Sequence, residues 1–144
     1  MIHYLDTSAL VKRYVIEPGT VQVRGLFGGS PSPAVSRLAV AETAAALCRR
    51  AREGHLAPVE RDTLIDRVSD ELLELLMIEV TGEVVDQAVK LAREHPLRAH
   101  DALHLASALW LKERITDDVC FVGADRGLVD CARKRGLDVL VPGS

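Results

Sequence analysis

Four carboxylates are the side chains of this sequence whose types and positions could do chemistry together: Asp6, Glu42, Asp101 and Asp125. Each comes from a separate part of the chain and falls at a predicted boundary between secondary-structure elements. If four acids shared one pocket, their mutual repulsion would raise some of their pKa values unless cations balanced the charge. Mg²⁺ and Mn²⁺ prefer oxygen ligands and keep bound waters that can attack a phosphodiester. The four acids therefore predict a divalent-metal site for phosphodiester hydrolysis.

The elements around these acids explain why they are expected to meet. Runs rich in β-forming residues predict five strands, over residues 2–5, 32–36, 77–80, 119–122 and 138–141. Helical patterns lie between these runs. The alternation predicts one α/β domain over residues 1–144, in which helices cover both faces of a mostly parallel sheet. In such a three-layer α/β/α fold, functional groups gather beyond the carboxyl ends of the strands.

Asp101 is the acid least easily explained as an ordinary surface residue. It lies in the first turn of a predicted helix that runs to about Arg114 and is apolar on more than one face. A helix of that kind is buried, and a charge at its mouth needs a partner. Taken singly, Asp6 and Asp125 are equally well explained as helix N-caps, and Glu42 as a surface acid. Their joint occurrence favours a shared site.

Hydroxyl and basic residues flank the acids in the sequence. Three hydroxyl residues are expected to orient the carboxylates or to hold water beside them: Thr7, Ser8 and Ser36. Four arginines lie near the acids and could contact phosphates: Arg13, Arg37, Arg98 and Arg126. For any single arginine, a solvated surface position is the simpler interpretation.

Two histidines on the Asp101 helix suggest a different enzyme. His100 and His104 have the i, i+4 spacing of a helical zinc site, so a zinc hydrolase is an alternative. The acid between them is an aspartate, shorter than the glutamate of such sites, and a third histidine ligand is not evident. This alternative also leaves the other three acids unexplained. We therefore expect His104 in the core or the pocket wall, and His100 at the rim, where it could touch substrate with Arg98 and Arg126.

Composition limits the possible classes of protein. The 144 residues suffice for one domain, and the net charge of −3 provides no general basic surface for nucleic acid. The three cysteines, Cys48, Cys120 and Cys131, lie in apolar runs without metal-site spacing, which indicates buried free thiols in a reducing compartment. No apolar run approaches membrane-spanning length and no signal peptide is recognisable, so we expect a cytoplasmic protein without a membrane partner.

Segments in order along the chain resemble the motifs of PIN-domain ribonucleases, and specifically of the VapC toxins of toxin–antitoxin pairs. The resembling segments are Leu5 to Lys12, Ser36 to Glu42, Arg98 to Ala106, Phe121 to Leu128, and Gly136 to Val139 in the last strand. Each motif alone is only weakly diagnostic of the family, but the occurrence of the motifs in this order is specific to it. One departure is that Gly123 and Ala124 precede Asp125 where a Thr or Ser is common nearby.

The resemblance implies a PIN-like fold and an endoribonuclease that depends on Mg²⁺ or Mn²⁺. It implies that Asp6, Glu42, Asp101 and Asp125 form the acidic site, assisted by Thr7 or Ser8. It also implies an RNA substrate, inhibition by a cognate VapB-type antitoxin, and a homodimer. A catalytically silent PIN-like binding module is the alternative, although such a module is expected to lack one of the acids.

A long leucine-rich helix is predicted over residues 58–76. With its neighbours it could form a dimer face or an antitoxin groove. Simple packing in the core explains it equally well.

Overall fold

The computed structural model describes residues 1–144 and contains five strands and seven helices. The strands are β1 (Ile2–Leu5), β2 (Ala34–Ser36), β3 (Leu76–Ile78), β4 (Val119–Val122) and β5 (Asp138–Leu140). The helices are α1 (Thr7–Tyr14), α2 (Thr20–Gly25), α3 (Leu38–Arg52), α4 (Pro58–Leu73), α5 (Gly82–Glu94), α6 (Ala99–Arg114) and α7 (Arg126–Lys134). None of these helices has the length and apolar character needed to cross a membrane.

All five strands run parallel in one sheet, in the order β3-β2-β1-β4-β5. Helices cover both faces, so the predicted three-layer α/β/α fold is confirmed. The chain winds from β1 to β3 in one direction and then crosses back to place β4 and β5 on the other side of β1. The carboxyl ends of β1 and β4 therefore flank the crevice at which folds of this type bind ligands.

Strand β4 illustrates how the sequence produces the layers. Its Val119 and Phe121 belong to the apolar core that includes residues of α5, α6 and α7. Cys120 and Val122 belong to the core on the other face, with residues of α1, α3 and α4. Successive side chains of a strand point to opposite faces, so a strand covered on both sides is apolar throughout.

The clearest difference from the predicted elements lies between α4 and β3. The sequence predicts a helix up to residue 76, whereas α4 ends at Leu73 and β3 begins at Leu76. The backbone N–H of Leu76 donates a hydrogen bond of 3.2 Å to the carbonyl oxygen of Pro33, beside β2. Pairing with a strand from a distant part of the chain thus ends the helical stretch, and helical periodicity alone cannot show this.

The three cysteines are free, as predicted, but they are not equally buried. Cys120 and Cys131 are buried, whereas Cys48 is only partly buried, so the prediction of burial is wrong for Cys48. Burial, together with the charge of Asp138, raises the pKa of the Cys120 thiol to about 11. Such a thiol is protonated and unreactive at neutral pH.

Candidate active site

The four predicted carboxylates line a single cleft of about 610 Å³ at the carboxyl edge of the sheet. Asp6 follows β1, Glu42 lies on α3, Asp101 lies in the first turn of α6, and Asp125 lies just before α7. Other predicted site residues on the same cleft are Thr7, Ser8, Arg98, His100 and His104. The elements that the sequence separates by up to 119 positions thus meet where the topology brings β1 and β4 side by side.

Asp6 is the most buried of the four acids, with 3% of its surface exposed. Its Oδ1 accepts hydrogen bonds from the Ala9 backbone N–H at 3.0 Å and from the Ser8 hydroxyl at 2.6 Å. It therefore caps α1, as the simpler interpretation predicts, and also faces the cleft. Burial raises the pKa of Asp6, the charge of Asp101 raises it further, and the Ser8 hydrogen bond opposes the rise.

Gly123 leaves room for the second oxygen of Asp6. A Cβ atom at this position would lie 2.9 Å from Asp6 Oδ2 and 3.2 Å from its Cγ. This separation is shorter than van der Waals contact allows, so any larger residue would have to displace the carboxylate. The close approach explains why glycine, and not a hydroxyl residue, fits here. The Ser8 hydroxyl contacts this loop instead, because it accepts a 2.9 Å hydrogen bond from the Ala124 N–H.

Glu42 is held by a hydrogen-bond network that is not evident from the sequence. Its Oε1 lies 2.6 Å from His104 Nε2 and accepts a 2.7 Å hydrogen bond from the Thr7 hydroxyl. His104 Nδ1 in turn lies 2.8 Å from the hydroxyl of Tyr4. Burial tends to raise the pKa of Glu42, but the hydrogen bonds from His104 and from the Thr7 hydroxyl outweigh it and lower the pKa.

His104 lies in the core at the cleft wall, as predicted, with 2% of its surface exposed. Because both of its ring nitrogens already contact Tyr4 and Glu42, His100 and His104 do not form the ligand pair of a zinc site. One sequence signal could have found its role. His104 follows Asp101 by three positions, so the two side chains share a face of α6.

No hydrogen bond from a side chain holds Asp101 or Asp125. Asp101 keeps 14% of its side chain exposed and lies 3.2 Å from His100 Nε2 and 3.7 Å from Arg98 Nε. Asp125 is exposed and caps α7 through a 3.1 Å hydrogen bond from the Leu128 N–H to its Oδ1. Asp125 is therefore solvated, and the polar neighbours of Asp101 are two basic side chains, unlike those of Asp6 and Glu42.

The structure does not bring every predicted residue to the cleft. Ser36 is fully buried, and its hydroxyl oxygen accepts a hydrogen bond from the Leu38 N–H, so it does not orient a carboxylate. Arg126 does not line the cleft either. Arg13 and Arg37 point elsewhere and form ion pairs with glutamates. For these four residues, the sequence position near an acid does not correspond to proximity in space.

Basic residues of α1 and α3 line the cleft instead: Lys12, Arg49 and Arg50. Both Lys12 and Arg50 form ion pairs with Glu17. Lys12 Nζ lies 3.1 Å from Glu17 Oε1, and Arg50 Nη2 lies 2.7 Å from Glu17 Oε2. Arg49 is exposed on the cleft and forms no ion pair with an acidic residue of the chain. From sequence, Arg49 and Arg50 are explained fully by the preference of a helix C-terminus for positive charge, which is why they were not predicted in the site.

Comparison with known proteins identifies the fold and the family. The family model for the PIN domain matches residues 3–127. The ribonuclease VapC45 of Mycobacterium tuberculosis is 40% identical over 111 residues, which is 74% of each protein. This chain belongs to the VapC family of PIN-domain ribonucleases. A second VapC protein of the same species, ribonuclease VapC47, is 29% identical over 145 residues and covers 98% of this chain and 97% of the relative.

Solved structures place the VapC chain in the same fold. It aligns with a chain from the FitAcB crystal structure of Neisseria gonorrhoeae at a TM-score of 0.71, with 16% identity and 98% of both chains covered. It aligns with a chain of a toxin–antitoxin complex from Klebsiella pneumoniae at a TM-score of 0.66, with 18% identity and 97% of both chains covered. At these identities the likeness demonstrates the fold alone.

The chemistry of the VapC cleft suits a hard divalent cation. Three of the acids have a carboxylate oxygen that accepts no hydrogen bond and is therefore free for a ligand. These oxygens are Asp6 Oδ2, Glu42 Oε2 and Asp125 Oδ2. Carboxylate oxygens are the donors that Mg²⁺ and Mn²⁺ prefer. The structure brings no three acidic, histidine or cysteine side chains close enough to form a ready-made ligand group.

Proposed function

We propose that this VapC chain, acting as one domain over residues 1–144, is an endoribonuclease that uses Mg²⁺ or Mn²⁺. Asp6, Glu42, Asp101 and Asp125 would hold the ion. The observation that carries this proposal is the meeting of four carboxylates from separate elements in one cleft. When bound, the ion supplies an activated water and offsets negative charge on the scissile phosphate.

The other side chains of the cleft have two roles in this proposal, which are to position the carboxylates and to contact the RNA. Thr7 and Ser8 donate hydrogen bonds to Glu42 and Asp6 and so keep the free oxygens of these carboxylates in place. Arg98 and His100 border the outer acids, where they can contact the phosphates of an RNA strand. The positive charge at this border offsets the repulsion between an acidic cleft and a polyanion, although the net charge of the chain is −3.

We propose an antitoxin as the protein partner, because a solved neighbour of the same fold is a toxin–antitoxin complex. An apolar groove between the end of α1 and the start of α4 lies beside the cleft, and Arg50 borders both. Ile16 and Val59 are 87% and 78% exposed there. An apolar helix face of a VapB-type antitoxin would cover them. The groove proposed for the antitoxin thus includes the first turns of the predicted leucine-rich helix. A homodimer and a cytoplasmic location stay predictions.

RNA cleavage with defined metals tests the nuclease proposal. Purified protein is incubated with total RNA in Mg²⁺, Mn²⁺, Zn²⁺ or EDTA, and new RNA ends are mapped by sequencing. The Asp101→Asn variant is the control for contaminating nucleases. We expect discrete cleavage sites with Mg²⁺ or Mn²⁺, and none with EDTA or with the variant.

Other outcomes of this experiment favour the alternatives. Cleavage by Asp101→Asn at the wild-type rate would contradict the four-carboxylate site. A preference for Zn²⁺ would favour the histidine hydrolase. Absence of cleavage by a folded wild-type protein in every metal would favour the silent binding module.

A further inference from the structure

Tyr4, His104 and Glu42 form a buried chain of hydrogen bonds that ends in the cleft. The Tyr4 hydroxyl lies 2.8 Å from His104 Nδ1, and His104 Nε2 lies 2.6 Å from Glu42 Oε1. Tyr4 is 0% and His104 2% exposed. The centroid of the Tyr4 ring lies 5.6 Å from that of Phe121, and the two rings are stacked. It lies 6.0 Å from the centroid of the His104 ring, and these two rings meet edge-on. Both rings are therefore fixed by packing on all sides, and only Glu42 reaches solvent.

The positions of the protons determine the direction of donation along these hydrogen bonds. The Tyr4 phenol carries an O–H donor, is fully buried and lies 2.8 Å from Nδ1, so it can donate to Nδ1. An imidazole that accepts at Nδ1 carries its own proton on Nε2. Nε2 then donates to Glu42 Oε1, which also accepts from the Thr7 hydroxyl. Oε1 is thus fully occupied and Oε2 remains free for the cleft.

We propose that His104 is a positioning residue for Glu42, and that Tyr4 fixes the imidazole tautomer in which His104 acts. A histidine that served only the core would need polar partners, but it would not need a carboxylate from the cleft as one of them. Groups that orient a metal-binding carboxylate typically contribute about 10- to 100-fold to metal affinity or activity. The activity part of this inference rests on the proposed nuclease function, whereas metal affinity and tautomer can be measured without RNA.

Tyr4→Phe is the sharpest test, because it removes one hydroxyl and keeps the stacked ring. Tyr14→Phe is the matched control, since Tyr14 is also buried but donates its hydroxyl to Glu71, outside the cleft. We expect Tyr4→Phe to weaken Mn²⁺ binding in calorimetry and to lower kcat, each about tenfold. KM for RNA and the melting temperature should change little. Tyr14→Phe should leave Mn²⁺ affinity and kcat within about twofold of wild type.

Two substitutions of His104 separate positioning from packing. His104→Gln keeps an amide donor that can reach Glu42, whereas His104→Ala keeps none. We expect about a 100-fold loss of Mn²⁺ affinity with alanine and a partial rescue with glutamine. Equal losses in two folded variants would indicate a structural role only and would overturn the proposal. If His104→Ala does not fold, Tyr4→Phe and His104→Gln decide the question.

The ¹⁵N chemical shifts of the His104 ring test the tautomer without metal or RNA. We expect a protonated Nε2 and an unprotonated Nδ1 in the wild type, and a mixture of tautomers in Tyr4→Phe. A wild-type ring protonated at Nδ1 alone, or a Tyr4→Phe variant with unchanged shifts and unchanged Mn²⁺ affinity, would overturn the inference. A wild type that binds Mn²⁺ but cleaves no RNA would instead contradict the proposed function, and metal affinity would still decide the inference.

Discussion

The inner wall and the rim of the cleft contain the same kind of acid in very different surroundings. On the inner wall, Asp6 and Glu42 receive hydrogen bonds from buried or partly buried side chains and from the backbone. At the rim, Asp101 lies beside His100 and the exposed side chain of Arg98, and Asp125 is open to solvent. Side-chain hydrogen bonds thus hold two of the acids in place, whereas Asp101 has only basic neighbours and Asp125 faces solvent.

From this difference we infer that the inner wall and the rim of the cleft have separate roles. A carboxylate that is held by short hydrogen bonds presents its free oxygen at a fixed place, which favours a ligand with strict geometry such as a metal ion. Exposed basic side chains such as those of Arg98 and His100 suit a substrate whose backbone enters in more than one conformation. We therefore expect changes on the inner wall to affect metal binding and kcat. Changes to the basic side chains of the rim should affect RNA affinity.

The largest effect is expected from Asp6→Asn. Asparagine caps helices as well as aspartate does, so α1 should remain folded, but the negative charge on the inner wall is lost. We expect RNA cleavage to fall by more than about 100-fold, beyond what outer-sphere partners contribute. The rim variant Asp125→Asn should lose only about tenfold, because water can replace an exposed charge. Single-turnover cleavage measures both, and equal losses would remove the distinction between wall and rim.

A smaller effect is expected when Gly123 acquires a side chain. In Gly123→Ala the new methyl group would lie 2.9 Å from Asp6 Oδ2, so that the carboxylate must move. We expect Mn²⁺ affinity to fall about tenfold, similar to the loss of an orienting partner. Gly25→Ala is the control, because no atom lies within 4 Å of its added Cβ. Unchanged Mn²⁺ affinity in Gly123→Ala would show that the position of Asp6 is not critical.

A still smaller effect is expected at the rim from Arg49→Ala. Arg49 lines the cleft without an acidic partner on the chain, so its charge is available to an RNA phosphate. We expect KM to rise about fivefold, or roughly 1 kcal/mol, with kcat unchanged. The slope of log affinity against log salt should fall by about 0.7, the value for one phosphate contact to a single strand.

Arg52→Ala provides the control for Arg49→Ala. Arg52 is an exposed arginine of the same helix that does not line the cleft. Equal effects of the two substitutions on KM would indicate general charge attraction and no defined phosphate contact.

The smallest effect is expected on the stability of the metal-free protein. Because burial raises the pKa of Asp6 in the folded state, its ionised form destabilises the fold above that raised pKa. Asp6→Asn should therefore melt at a slightly higher temperature than the wild type at pH 7 in EDTA. The difference should vanish as the pH falls through the raised pKa towards the ordinary carboxyl value, since both side chains are then neutral. Calorimetry over this range would contradict the assignment if the wild type were the more stable protein at pH 7.

Much of this site is encoded locally and could be predicted. Asp6 and Asp125 lie where a strand ends and a helix begins, and the apolar helix behind Asp101 indicates burial. The alternation of strands and helices along the chain then implies a parallel sheet. A parallel sheet brings the positions where strands end and helices begin to one edge. The four carboxylates and the three-layer fold follow from these signals, because chain direction and hydrophobic pattern determine them.

The arginines illustrate what local signals cannot provide. Arg13, Arg37 and Arg126 are close to acids in the sequence but lie outside the cleft, whereas Arg49 lines it from the far end of α3. The direction of a long side chain depends on the helix rotation and on which acid it can pair with. Both are settled by packing between elements.

The sequence by itself determined where this protein places its acids and how its layers are built. Only the tertiary structure decided that Tyr4, 100 positions before His104, is hydrogen-bonded to it, and that Gly123 must stay small beside Asp6. The physical reason is the range of the interactions. Caps and strand ends depend on neighbours along the chain, whereas hydrogen bonds and close approaches between elements exist only after the sheet has brought those elements together.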